Sequence, residues 1–451
     1  MPKVVTVETA GLGDRSYLAH DGEVAVVIDP QRDFDRVLAV AEAEGVRITH
    51  VFETHIHNDY VTGGFALSAA VGAVYVVAGD DDVAFARAPA KDGSRFDTGR
   101  LTVTALATPG HTPHHLSYAL AEEGGEPVAV FTGGSMLFGA VGRTDLIGAD
   151  RTDELTRKQY QSVRRLARDL PATADVHPTH GFGSFCSATQ TSGTESTIRE
   201  QRTANIAVTT DDEDAFVEEL LAGLGAYPRY YAHMGPANSS GPGPADLADP
   251  ISVDSVELRR RIDAGEWVVD LRKRRAFARH HVTGTISVEL GDSFVTFLGW
   301  TIPWGTPLTL IGDDASEVPD AQRQLVRIGI DRLAGAATGS VDSLAGGRTS
   351  SYEVTDFDGL ALILGRGDLV VLDVRRPDEW DKGHLTTAIH IPFWELEGRL
   401  AELPDTEIWV HCASGFRASI SASILDRAGR RVVHVDDDWS RAGELGLPMA
   451  G

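Results

Sequence analysis

Cysteine is nearly absent: the chain of 451 residues has two, Cys186 and Cys412. That excludes a disulfide framework and any all-thiolate zinc site, which needs more sulfur than this. Positive charge is also short, with 41 Lys and Arg against 66 Asp and Glu, a formal net charge of −25. A field of that sign repels phosphate backbones and anionic lipid, so neither nucleic acid nor membrane is expected as a partner. Long apolar runs are missing too. The opening MPKVVTVETAGLGDRSYLAH has no charged segment leading into an apolar stretch, and no later run approaches the roughly 18 residues of a membrane span. The expected location is the cytoplasm. What remains is ordinary globular material at about three typical domain lengths, so two to four packed domains are expected.

The first 180 residues alternate apolar runs with helical patterns. VAVVID (24–29), ITHVFETH (48–55), AVYVVAG (73–79), LTVTALATPG (101–110) and EPVAVFTGG (126–134) read as strands, and FDRVLAVAEAEG (34–45) and DELTRKQYQSVRRLARDL (153–170) as helices. This is an α/β pattern. AYPRYYAHMGPAN (226–238) reads as an aromatic strip packed between domains, and GPANSSGPGPADLADP (235–250) as a linker. Beyond it the sequence repeats. VVDLRKRRAFARHHVTGTIS (268–287) overlays VLDVRRPDEWDKGHLTTAIH (371–390) at an offset of 103, pairing Asp270 with Asp373, Arg272 with Arg375, Phe277 with Trp380 and His281 with His384. A second stretch, at an offset of 100, pairs Gly312 with Cys412 and Gly329 with Gly429. The expected organisation is a first domain over 1–235, a linker over 236–250, and two copies of one α/β module over 251–345 and 352–451.

IWVHCASGFRASISASIL (408–425) reads as a strand, a tight loop from Cys412 to Arg417, and a helix. Backbone N–H groups and the positive end of a helix dipole in such a loop favour an anion and stabilise a thiolate or persulfide. Arg417 adds a charge able to fork to an oxyanion. The bland alternative is a small packed thiol, which the loop context argues against. VLDVR (371–375), EWDKGHL (379–385), IPF (391–393) and HCASGFRA (411–418) resemble the rhodanese family. The resemblance implies a sulfurtransferase that carries a persulfide on Cys412, with Arg417 catalytic and Ser414, Gly415 and Phe416 binding substrate. Tyrosine-phosphatase-like enzymes place arginine one position later, where this chain has Ala418. The middle copy has Gly312 for the cysteine and Glu317 for the arginine, so it is expected to be a structural or docking module. Asp437 and Asp438, after a strand near the loop, are expected to disfavour anionic donors.

THIHNDYVTGG (54–64) places His55, His57 and Asp59 directly after a strand, TPGHT (108–112) places His111 after another, and HPTHG (177–181) places His180 after a third. Imidazoles and a carboxylate converging from several strand ends are what a zinc or iron site requires. With GRTD (142–145), these motifs resemble the metallo-β-lactamase superfamily, and within it the persulfide dioxygenase and glyoxalase II branch. The resemblance implies an αββα sandwich followed by two rhodanese-like α/β domains. It implies iron, with zinc as the alternative, held among His55, His57, Asp59, His111 and His180, and a low-molecular-weight thiol persulfide and thiosulfate as substrates. It also implies a homo-oligomer. Two departures stand out: Tyr60 replaces a histidine of the family motif, and Gly134 replaces its aspartate ligand. Three outcomes follow: His57 or Asp59 completes a mononuclear site; His180, with Cys186 as an outside candidate, joins a rearranged one; or no metal binds. Cys186 otherwise reads as a packed thiol. Because Gly312 leaves no second sulfur carrier, Cys412→Ser in the full chain is expected to abolish sulfur transfer from thiosulfate to an acceptor, measured as sulfite release.

Overall fold

The computed structural model describes residues 2–188, 191, 193–366 and 368–450. Contacts divide the chain into a first unit, up to Ala245 and including Val326–Gly329, and a second, Asp246–Leu325 and from Ile330 onward. In the first unit the β-branched runs form two facing sheets. One holds Lys3–Thr9, Asp14–His20, Val24–Ile28, Arg47–Phe52, Val74–Ala78 and Ala88–Ala90 in chain order. The other is ordered Asp175–Pro178, Pro127–Gly133, Leu116–Glu122, Leu101–Ala107 and Arg95–Thr98.

Alternation along each strand sorts residues into layers. Val26, Ile28 and Phe52 face inward and meet Val103, Tyr118, Leu120 and Phe131 in one buried cluster. Ala25, Val27 and Val51 face outward, where they bury Val37 and Ala41 of helix Asp35–Glu44 and Leu67 of helix Gly64–Val71. On the far side Val130 and Val176 bury Val163 and Leu166 of helix Thr152–Asp169 with Phe216 of helix Glu213–Gly223. The result is the αββα sandwich expected from the histidine loops. Among the described residues no helix is long and apolar enough to cross a membrane.

The segment read as a linker begins as helix: Tyr231–Ser239 carries Pro236 internally and belongs to the first unit. The aromatic strip packs within that unit as well, with Tyr227 stacked on Tyr231 and lying under the Arg143 guanidinium.

The second unit contains the same parallel sheet twice. One is ordered Ile286–Ser287, Trp267–Asp270, Leu308–Gly312 and Gly335–Thr338; the other Ala388–His390, Leu369–Asp373, Glu407–His411, Val432–Val435 and Glu353–Thr355. The repeat extends to side chains. Arg272 forks onto Asp270 as Arg375 forks onto Asp373, and the His281 ring stacks on Phe277 at 3.9 Å as His384 stacks on Trp380 at 3.5 Å. The one difference in strand count is at the edge, where Ser252 makes a single parallel bridge to Ala336 in place of the strand Glu353–Thr355.

Candidate functional site

Asp29 follows strand Val24–Ile28 with φ 51°, a left-handed conformation uncommon outside glycine. This turn aims its carboxylate at the ends of two other strands. Oδ1 accepts from the Thr54 amide at 2.7 Å, and Oδ2 accepts from the hydroxyls of Thr54 and Thr179. His57 Nε2 stands 3.3 Å from the same carboxylate, 3.2 Å from Glu53 and 3.0 Å from Tyr60, whose hydroxyl donates to the Asp29 carbonyl. Burial alone would lower the His57 pKa, but Asp29 and Glu53 outweigh it and raise it to about 9. Asn238 braces the loop from the helix that the sequence concealed, donating to the carbonyls of His57 and Tyr60 at 2.8 Å each.

The remaining histidines are oriented from behind. The only Thr54 hydroxyl proton goes to Asp29, so its oxygen accepts from His55 Nδ1, at 2.9 Å, and the His55 lone pair lies on Nε2. His111 Nδ1 donates to the Arg143 carbonyl at 2.7 Å, which leaves Nε2 buried and without a partner. His180 Nδ1 lies 2.9 Å from Asp14 and 3.1 Å from Asp59, and its Nε2 faces His55 Nε2 at 3.3 Å. Burial presses His111 down to about 3, whereas Asp59 and Asp14 overcome burial and hold His180 up at about 10. Asp59 is held low by His180 in spite of its own burial, while burial and Asp59 push Asp14 up to about 7. The proton between His180 and His55 therefore stands where a cation can replace it.

Ligating atoms of His55, His57 and His180 fall within 4.8 Å of one another, and so do those of His111, His180 and Cys186. The donors fit a metal: each ligating imidazole has an outer partner fixing its ring, and His111 Nε2 has nothing else to bind. They do not fit the family's aspartate position. A Cβ at Gly134 would overlap the His111 ring, so that ring occupies the space of a side chain there. Gln159 fixes this arrangement, accepting from the His111 amide at 2.8 Å and donating to the carbonyls of Gly134 and Ser135. Asp59 lies 3.1 Å from His180 through Oδ2 and keeps Oδ1 unpartnered, and His57 keeps only Nδ1 unpartnered. Sequence reasoning missed Asp14, Asp29, Glu53 and Asn238. It also missed His115, whose Nε2 accepts from the Gly134 amide at 3.1 Å; the run HTPHH held the signal.

In the second unit Cys412 is buried at the end of strand Glu407–His411, and helix Phe416–Arg427 begins four residues later. Gly415, φ 80°, turns the chain between them; a Cβ there would strike Asp436, and its carbonyl accepts from His434 Nε2 at 2.9 Å. Ser414 is exposed, and Phe416 packs against Phe297 of the middle module at 5.4 Å. Asp436 is the acid at this loop, and Arg274 and Arg275 of the middle module hold it at 2.7 and 2.5 Å. Asp437 and Asp438 are engaged elsewhere, accepting from the amides of Phe357 and Ser440. The Arg417 fork grips Glu379 at 2.5 and 2.8 Å. Burial would raise Glu379, but Arg417 brings it down to about 2.

Residues 13–180 match the metallo-beta-lactamase superfamily and residues 357–442 the rhodanese-like domain. Persulfide dioxygenase ETHE1, mitochondrial, of Homo sapiens is 28% identical over 204 residues, 45% of this chain and 72% of that protein. Hydroxyacylglutathione hydrolase of Methylococcus capsulatus is 31% identical over 176 residues, 37% of this chain and 61% of that one. The 2.1 Å crystal structure of a metallo-beta-lactamase from Staphylococcus aureus subsp. aureus COL superposes with a TM-score of 0.67 at 27% identity, covering 75% of this chain and 99% of that chain. That coverage is longer than the first unit and so runs into the second.

Two outcomes are expected. Gly134→Asp destabilises the first unit by about 1–3 kcal/mol through overpacking against His111 and does not raise bound metal per chain, measured by urea unfolding and elemental analysis. The Glu379–Arg417 pair is complete above the ordinary glutamate value of 4.5 and is lost only as pH falls through about 2. Near neutral pH, Glu379→Gln therefore frees positive charge at the loop, measured as tighter binding of a small oxyanion by isothermal titration calorimetry.

Proposed function

Because the chain joins a metallo-β-lactamase-superfamily domain to a rhodanese-like domain, we propose that it is an enzyme of persulfide metabolism. The first domain oxidises a low-molecular-weight thiol persulfide, and the last carries sulfane sulfur on Cys412. The observation that carries the reading is a buried cysteine in a glycine-turned loop at a helix start, on one chain with a cluster of histidines whose free nitrogens face inward. Likeness to the human persulfide dioxygenase supports the choice of substrate.

At Cys412 the thiolate attacks the sulfane sulfur of thiosulfate. The S–S bond breaks, sulfite leaves with its electron pair, and the sulfur stays as a cysteine persulfide that an acceptor thiolate removes. Arg417 and the loop amides balance the incoming charge, with Glu379 holding the guanidinium in place. In the first domain a persulfide, O₂ and water give a thiol and sulfurous acid, the sulfane sulfur losing the four electrons that O₂ gains. His55, His57, His111 and His180 would hold iron, which supplies the activation of O₂ that no side chain here provides. His57, fixed by Asp29 and Glu53, and His180, fixed by Asp14 and Asp59, keep the centre rigid as substrate enters.

A second reading, thioester hydrolysis with zinc in the same residues, has the likeness to hydroxyacylglutathione hydrolase in its favour. Oxygen uptake separates the two. Purified protein is expected to contain iron and to consume O₂ with glutathione persulfide, and His111→Ala loses both. Hydrolysis of an S-acylglutathione without O₂ uptake would select the hydrolase. Less than about a tenth of an equivalent of iron or zinc would leave the first domain a scaffold.

A further inference from the structure

We propose that Cys186 is a metal ligand, its thiolate joining Nε2 of His111 and Nε2 of His180 in place of the carboxylate that Gly134 cannot supply. The inference rests on the metal-binding reading above and concerns which side chains provide the donors.

One donor atom from each of the three residues lies within 4.8 Å of the other two, and all three residues are fully buried. Each histidine has its other nitrogen engaged as a ligating histidine does, His111 by the Arg143 carbonyl and His180 by Asp14 and Asp59. Arg143 also ties the cysteine to the same centre. Its carbonyl accepts from His111 Nδ1 at 2.7 Å while its amide donates to the Cys186 carbonyl at 2.8 Å, so the backbone of one residue holds the His111 ring and the Cys186 main chain. The Cys186 amide is held in turn by the Ser184 hydroxyl at 3.2 Å.

A merely packed thiol would have apolar neighbours. Cys186 instead has donor atoms of His111 and His180 within 4.8 Å of its sulfur. His111 Nε2 beside it has no partner at all. On binding, the thiol gives up its proton to solvent, and the S–metal bond forms without any change of oxidation state. Two imidazoles and a thiolate leave a coordination position open, and the sulfur favours zinc and other soft metals more than the aspartate it replaces.

The test uses the full chain carrying Cys412→Ser, in which Cys186 is the only thiol. Loaded with Co²⁺, this protein is expected to show a thiolate-to-cobalt charge-transfer band in the near ultraviolet. Loaded with Zn²⁺, it is expected to show a sulfur shell at about 2.3 Å by X-ray absorption. Adding Cys186→Ser removes both signals and weakens metal binding roughly 10- to 100-fold, with circular dichroism confirming that the chain is folded. The absorption measurement needs no change at Cys186, so it decides the question even if that variant misfolds. Stoichiometric metal with only nitrogen and oxygen neighbours would overturn the inference and leave metal binding intact. No bound metal would overturn both.

Discussion

The carboxylate of Asp29 is the interaction on which the first domain depends. It is wholly buried, and a buried charge left unmatched costs several kcal/mol. Here it is matched by a backbone amide, two threonine hydroxyls and an imidazole drawn from chain segments far apart in sequence. Those segments are the loops that follow the strands Val24–Ile28, Arg47–Phe52 and Asp175–Pro178. The same carboxylate therefore closes the sandwich at one end and sets the positions of His55, His57 and His180. Stability and site geometry are here a single network, and a change to one member acts on the others.

The two chemical centres follow one plan with different supports. Both put reactive groups on loops at strand ends, where a rigid sheet aims them and the loop leaves room for substrate. In the first unit the loops are held by a polar network behind the histidines. In the second, a left-handed glycine makes the turn and an aspartate fills the space behind it, with two arginines supplying the countercharge.

Much of this was legible in the sequence because the signals were local. Histidines at strand ends announce themselves by residue type and by the Gly and Pro beside them, and the duplicated module was visible as a fixed offset whose paired residues make the same contacts in both copies. What was hidden is long-range. Glu379 lies 38 residues from Arg417, so no spacing rule links them. Asn238 sits in a Gly- and Pro-rich segment whose composition resembles a linker, yet its amide braces the histidine loop. Gly134 shows that a ligand is missing, but only packing shows that the His111 ring fills its place. The acid beside the cysteine loop proved to be Asp436 rather than its two neighbours, because strand register decides which of three consecutive aspartates turns inward.

The middle module gives the second unit a property that its repeated architecture hides. Domains that look alike are usually treated as interchangeable cassettes, to be excised or transplanted whole. This one is not portable. Two guanidiniums that neutralise the acid under Gly415, and the Phe297 ring that packs against Phe416, belong to the copy with no cysteine of its own. A cut between the repeats would leave the C-terminal copy with Cys412 and Arg417 and an uncompensated carboxylate beneath its loop, so the smallest self-sufficient piece of this half of the chain is the pair.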